Sequence, residues 1–293
     1  CSSLGNCTTT WGCESTQKVI TNDRDASFSA GQFIWTGWDY IGEPTPYNST
    51  SKSSYFGQID TAGFWKDTAW LYKAEWGGKK FEPFVHLLPY WDWNVGQKID
   101  VKAYSNCDSV ELFLNGRTLG CQKIDHEKGT DLFGLWNVVY EKGEIKAVAY
   151  DENGKAVAEE TKHSFGDPVK VMIDTEKFDG VCHIGNMYFF DIRTVDKDGY
   201  DVANARNVVA VKVEGDAEFV SLDNGDSTDY DQYVSNVRRL FGNRLMAMVR
   251  AKSETSDFKV TAVSKDLAGY KCIIANGNVL TSPETGMEVY EEV

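Results

Sequence analysis

Two tryptophans, two carboxylates and several tyrosines crowd one short span: Trp35, Trp38, Asp39, Tyr40, Glu43, Tyr47 and Tyr55. These types suit contact with a sugar. An indole accepts the apolar C–H face of the ring, and phenols and carboxylates reach the hydroxyls on its rim. Trp35, Trp38, Asp39, Tyr47 and Tyr55 are therefore the candidate substrate-binding residues. The simpler reading is a core strand whose aromatics only pack. Retaining glycosidases need two carboxyl groups about 5–5.5 Å apart. Glu43 is a poor candidate for one, because Gly42 and Pro44 place it in a turn. Asp39 reads first as a hydrogen-bonded anchor for the loop, and second as a residue orienting a sugar hydroxyl.

The elements that must position these residues follow from the pattern around them. Residues 31–38 form an apolar run with aromatics and a β-branched residue, which predicts a short buried strand. Strand alternation would put Trp35 and Trp38 on opposite faces unless Gly37 bends the chain. Trp35 is the one expected to face a pocket, and Tyr47 and Tyr55 either edge that pocket or pack the loop. A helix is expected over about 14–25. A second is expected over Lys66–Trp76, where Trp65, Ala69, Tyr72 and Trp76 make one apolar stripe destined for the core. Gly77-Gly78 stops it.

The run Phe33-Ile34-Trp35-Thr36-Gly37-Trp38-Asp39-Tyr40-Ile41-Gly42-Glu43-Pro44-Thr45-Pro46-Tyr47, with Ser53-Ser54-Tyr55-Phe56-Gly57 and Ile59-Asp60-Thr61-Ala62-Gly63-Phe64 after it, carries a resemblance. It is similar to the last barrel strand and exit loop of bacterial β-galactosidases of glycoside hydrolase family 2, and the likeness continues through most of the chain. The resemblance implies a mostly β chain: the last strand and helix of a (β/α)8 catalytic barrel in residues 1–80, an immunoglobulin-like β-sandwich in 81–166, and a second β-sandwich with a polar tail in 167–293. It implies retaining hydrolysis of terminal β-galactosides, with Trp35 stacking on the sugar. Both catalytic glutamates belong to barrel strands four and seven, upstream of this chain, so no catalytic residue is expected within it. Partners would be the β-galactoside, the upstream part of the polypeptide that completes the barrel, and a further copy in a homo-oligomer. No cofactor is expected. Family habit points to export by a bacterium. Related β-glucuronidases carry an Asn-x-Lys motif shortly after this strand. Here the matching positions read Ser54-Tyr55-Phe56-Gly57, and Lys52 is out of frame, so a neutral sugar is favoured over a uronic acid.

From residue 81 onward, short alternating strands with turn signals fit a sandwich. The clearest is the hairpin Val110–Leu114, Asn115-Gly116, Arg117–Gly120, because Asn-Gly supplies the two positive φ angles of a type I′ turn. Continuing that register puts Leu112 opposite Leu119 and Val110 opposite Cys121. Tyr90, Trp91 and Trp93 are expected to fill the joint between barrel and sandwich. After Pro168 a second strand-rich block runs to about 263, and the tail after Asn276 reads as extended or disordered.

With 293 residues and 42% apolar content, two or three packed domains are expected. The net charge of −14 argues against nucleic acid, which needs clustered Lys and Arg. No apolar run is long enough to span a membrane as a helix. The start, Cys1-Ser2-Ser3, resembles neither a signal peptide nor an initiator sequence, so the chain reads as the interior of a longer polypeptide. Seven cysteines show no zinc spacing. Cys182 with Cys272 is the one pairing worth testing. Asp196-Lys197-Asp198-Gly199 reads as a hairpin turn. Asp223, Asp226, Asp229 and Asp231 read as a solvated loop, with calcium the lesser reading. The four histidines are scattered. The rival to a hydrolase fragment is a non-catalytic carbohydrate-binding or adhesion module of tandem sandwiches, and the rival sugar is another neutral glycoside.

Overall fold

The computed structural model describes residues 14–44, 47, 50–174, 181–281 and 285–286. The backbone groups into two compact units. The first comprises Cys1–Asp60 and Phe64–Ser164, and the second comprises Thr61–Gly63 and Phe165–Val293.

In the first unit, helix α1 spans Thr16–Asp25, and its N-cap Ser15 accepts from the Lys18 N–H. Helix α2 spans Asp67–Tyr72 and widens into a π turn over Lys73–Gly77. That turn breaks the 3.6-residue period on which the expected aromatic stripe depends. The buried positions are Thr68, Ala69, Leu71 and Ala74, while Trp76, within the π turn, and Trp65, which precedes the helix, are each about half exposed.

Seven antiparallel strands follow: β1 (Val85–Leu88), β2 (Lys98–Ser105), β3 (Ser109–Leu114), β4 (Arg117–Lys123), β5 (Gly134–Val139), β6 (Glu144–Tyr150) and β7 (Ala156–His163). They form two sheets, β1-β2-β5 and β4-β3-β6-β7. Alternation explains the core. Val110, Leu112 and Leu114 on β3 and Trp136 and Val138 on β5 point inward, against Leu87, Val101, Ile145 and Ala147. Trp91 belongs to this core rather than to a joint, and its indole N–H donates to the Glu141 carbonyl at 3.1 Å.

The Asn115-Gly116 turn has both φ angles positive, as the sequence demands. Leu114 pairs with Arg117, but the register then shifts, so Glu111 pairs with Cys121 and Val110 with Gln122. Gly120, at φ +101°, makes the bulge possible. The shift turns the Gln122 amide towards β5, where Nε2 donates to the Leu135 carbonyl at 2.7 Å and Oε1 accepts from the Leu135 N–H at 3.0 Å.

The second unit is also built of antiparallel strands. One sheet orders β12 (Ala217–Asp223), β14 (Leu245–Ala251), β10 (Met187–Val195) and β8 (Lys170–Ile173), with β9 (Val181–Ile184) also on β10. The other orders β13 (Val237–Arg239), β11 (Val208–Gly215), β15 (Phe258–Ser264), β16 (Gly269–Ala275) and β17 (Asn278–Thr281), with β18 (Thr285–Gly286) on β16. Asn276-Gly277 is a hairpin turn with two positive φ angles, so the tail beyond Asn276 begins as a paired strand. Cys272 is a free thiol buried on β16, not a disulfide partner.

The Asp196–Gly199 turn forms as expected: Asp196 Oδ1 accepts from the N–H groups of Asp198 and Tyr200. The acidic segment at the end of β12 is only partly solvated, with Asp231 exposed. Asp223, Asp226 and Asp229 are buried, and Arg238 meets Asp229 at 3.0 Å. Asn224 also donates to Asp229, at 2.6 Å. Burial works against the charge of Asp229, but the Asp231 N–H, Arg238 and Asn224 together hold its carboxyl below the ordinary range.

Candidate functional site

The segment that carries the candidate residues is extended but is not a strand of a sheet. Between residues 31 and 37 no ladder pairing occurs, and Trp38 makes a single parallel bridge to Ile59. A strand exists only where a neighbour takes up its N–H and C=O groups, and no described strand lies alongside these residues. The apolar side chains therefore remain uncovered. Trp35 is 77% exposed and Trp38 58%, and Phe33 is fully exposed. Both tryptophans are presented outward, so the expected burial of this run is not observed. The Trp35–Thr36 peptide is cis, and the Thr36 hydroxyl donates to the Trp38 carbonyl.

Aromatic edges connect the segment to the returning loop. Trp35 meets Tyr40 edge-on at 6.3 Å between centroids, and Tyr40 meets Phe56 at 5.9 Å. The Tyr40 hydroxyl donates to Glu43. Tyr47 packs its ring 4.3 Å from Tyr55, which is buried within the loop.

Asp39 lies beneath this surface. Its Oδ2 is 2.6 Å from Lys66 Nζ, and both side chains are buried. Its Oδ1 accepts from the Gly57 N–H at 2.8 Å and the Ser54 hydroxyl at 3.3 Å. Burial pushes the Asp39 carboxyl above its ordinary value, against the opposing pull of Lys66, Gly57 and Ser54. Lys66 Nζ also donates to the Tyr55 carbonyl at 2.7 Å. The structure thus brings Asp39 together with the loop that holds Tyr47 and Tyr55, and leaves Trp35 and Trp38 facing outward above it.

Sequence reasoning missed Lys66. A signal was present: Lys66 is the N-cap of α2, where the helix dipole disfavours a cation.

The histidines have structural partners. His86 stacks on Trp70 and meets Asp67 at 2.8 Å. His126 meets Glu75 through Nδ1 at 2.8 Å and the Cys107 carbonyl through Nε2 at 3.0 Å. Among the described residues no group of three or more His, Cys, Asp or Glu side chains is placed to hold a metal.

Known proteins supply the context. Residues 182–272 match the model of glycoside hydrolase family 2 C-terminal domain 5, and residues 96–158 match a domain of unknown function, DUF4982. The chain is 35% identical over 268 residues to a β-galactosidase of Bacteroides ovatus, covering 91% of this chain and 31% of that protein. It is 32% identical over 267 residues to a protein of Formosa agariphila named as a β-glucuronidase, covering 88% of this chain and 25% of the other. Among solved structures, a β-glycosidase from Bacteroides vulgatus superposes with a TM-score of 0.78 at 29% identity, over 89% of this chain and 33% of that one. The chain thus spans between a quarter and a third of the length of these two relatives. The family match in its second unit and the alignments along most of its length agree: this chain is the C-terminal portion of a glycoside hydrolase family 2 protein.

Proposed function

We propose that the chain contributes the substrate-facing aromatic wall of a retaining β-galactosidase, whose two catalytic glutamates lie in the polypeptide outside it. The observation that carries this reading is the exposed pair Trp35 and Trp38 above a buried Asp39–Lys66 ion pair. Exposed indoles on a firmly rooted segment suit the apolar face of a sugar. On this reading residues 1–80 are the end of a (β/α)8 barrel, 81–166 an immunoglobulin-like sandwich, and 167–293 a second sandwich. The exposed faces of Phe33 and Trp35 would pack against sugar and against the remaining barrel strands. Asp39, Tyr47 and Tyr55 would shape the loop around the sugar. Further partners would be a second copy of the protein, in an exported bacterial enzyme.

Charge favours a neutral sugar over a uronic acid, and galactose among neutral sugars rests on the likeness to the β-galactosidase relative. Lys66, the cation beneath the segment, is already engaged by Asp39, and a buried substrate carboxylate without a partner is costly. The uronic acid reading is supported by several relatives named as β-glucuronidases, among them the Formosa agariphila protein at 32% identity.

The test is hydrolysis of nitrophenyl β-galactoside and β-glucuronide by the full-length polypeptide and by this chain alone. Galactosidase activity in the full-length protein only is the expected result. Glucuronidase activity would transfer the reading to a uronic acid. Activity in this chain alone would overturn the split site and return attention to Asp39 and Glu43. Silence throughout would favour a binding module or another neutral glycoside.

A further inference from the structure

One carboxylate joins three separate pieces of chain in the first unit. Asp39 follows the aromatic segment, Ser54 and Gly57 belong to the returning loop, and Lys66 begins α2. Backbone bonds repeat the connection. The Asp39 N–H donates to the Ile59 carbonyl at 2.8 Å, the Ile59 N–H to Gly37 at 2.9 Å, and the Lys66 N–H to Gln58 at 2.9 Å. The fit is tight at Gly57, where a Cβ would lie 2.2 Å from the Asp39 nitrogen and 2.9 Å from its Oδ1. A buried ion pair is directional in a way that apolar packing is not, so it can set register rather than merely add stability.

We infer that Lys66 is a positioning residue for the sugar-facing tryptophans: through Asp39 it fixes the peptide units that carry Trp35 and Trp38, without touching substrate. The inference rests on the proposed role of those tryptophans. It separates binding from bracing, because Lys66 Nζ points to Asp39 and the Tyr55 carbonyl beneath the surface the sugar would meet.

The experiment is a double-mutant cycle of Trp35→Ala and Lys66→Met in the full-length polypeptide, read as kcat/KM on nitrophenyl β-galactoside. Lys66→Met alone is expected to lower kcat/KM by about 10- to 100-fold, the scale of a misplaced binding group. In the Trp35→Ala background the same change is expected to cost clearly less, with only the share carried through Trp38 remaining, because residues acting as a unit are not additive. Equal losses in both backgrounds would overturn the inference, since general destabilisation is additive. If Lys66→Met does not fold, Ser54→Ala is the milder variant: it removes the 3.3 Å bond to Asp39 and the hydroxyl acceptor of the Tyr40 N–H and leaves the ion pair in place. It is expected to show the same non-additivity with a smaller loss. Amide exchange in the same protein separates the two ideas. Lys66→Met, or Ser54→Ala in its place, should speed exchange at Asp39, Gly57 and Ile59. Unchanged protection there overturns the positioning role alone. Absence of glycosidase activity in the wild type removes the reading beneath it, and the inference with it.

Discussion

Trp35 and Trp136 lie in the same unit, and both lie in extended chain with an apolar residue two positions away. Trp136 is 7% exposed and Trp35 77%. The difference lies in what flanks them. Strand β5 pairs with β2 through six consecutive residues, from Gly134–Ala103 to Val139–Lys98. The segment before Trp38 has no such ladder. An indole is therefore core where its backbone is paired and a second sheet covers it, and surface where neither holds. Residue type alone does not distinguish a binding platform from a packed interior; the neighbours of the backbone do.

The comparison is broken most directly by truncation. Trp91→Ala in the sandwich core is expected to cost about 3–5 kcal/mol in urea unfolding. In this chain alone, Trp35→Ala should fall within about 0.5 kcal/mol of wild type, as for other exposed positions. A comparable loss at Trp35 would mean that the indole is packed after all.

The second unit offers a counterpart to the Asp39–Lys66 brace. Asp191 is buried and held by Arg244, with contacts of 3.0 and 2.5 Å. Burial pushes its carboxyl up to about 6, against the pull of Arg244. A raised carboxyl contributes stability that is fully present below its unfolded value of about 4 and lost as pH rises through about 6. Arg244→Met should therefore cost about 3 kcal/mol at pH 8, where the charge is left unpartnered. The loss should shrink below pH 6, and parallel denaturation series at pH 5 and pH 8 would check it. A loss that does not vary with pH would mean that Arg244 acts by packing.

A smaller effect is expected at the bulge that sets the β3–β4 register. Gly120→Val places a side chain at φ +101° and should cost about 1–2 kcal/mol. Retained stability would mean that the hairpin can adopt the regular register. The smallest effect concerns His126. Burial opposes its proton, but Glu75 and the Cys107 carbonyl outweigh it, so its pKa lies above the ordinary histidine value. The stability it gives is fully present below pH of about 6.5 and lost as pH rises through the raised value. The first unit should lose Tm between pH 6 and pH 9 as this proton is given up. His126→Gln should flatten that slope.

Alternation made most of the β structure legible. Val110-Glu111-Leu112-Phe113-Leu114 announces a strand, and Asn115-Gly116 announces its turn. The Gly120 bulge was not legible, because a bulge is the choice of one rung and leaves the alternation of each strand unchanged until the pairing is known. Strand β16 lies beyond the expected block because Gly269–Ala275 mixes polar and apolar residues without a clean period. The π turn after Tyr72 likewise leaves no mark in composition. In the candidate site the aromatics were visible from residue type, whereas their exposure was not, since it depends on which strands lie beside them. The Asp39–Lys66 pair joins positions 27 apart, so only folding reveals it.

The Gln122 amide has a consequence beyond its own unit. An open strand edge is a template, and during synthesis or crowding the nearest chain able to add to it is another copy of the same protein. By occupying both the N–H and the C=O of Leu135, one side chain takes one rung of that edge. The bulge at Gly120 turns that amide into place, so a hairpin shifted by one step also closes one rung of the β5 edge to an incoming strand.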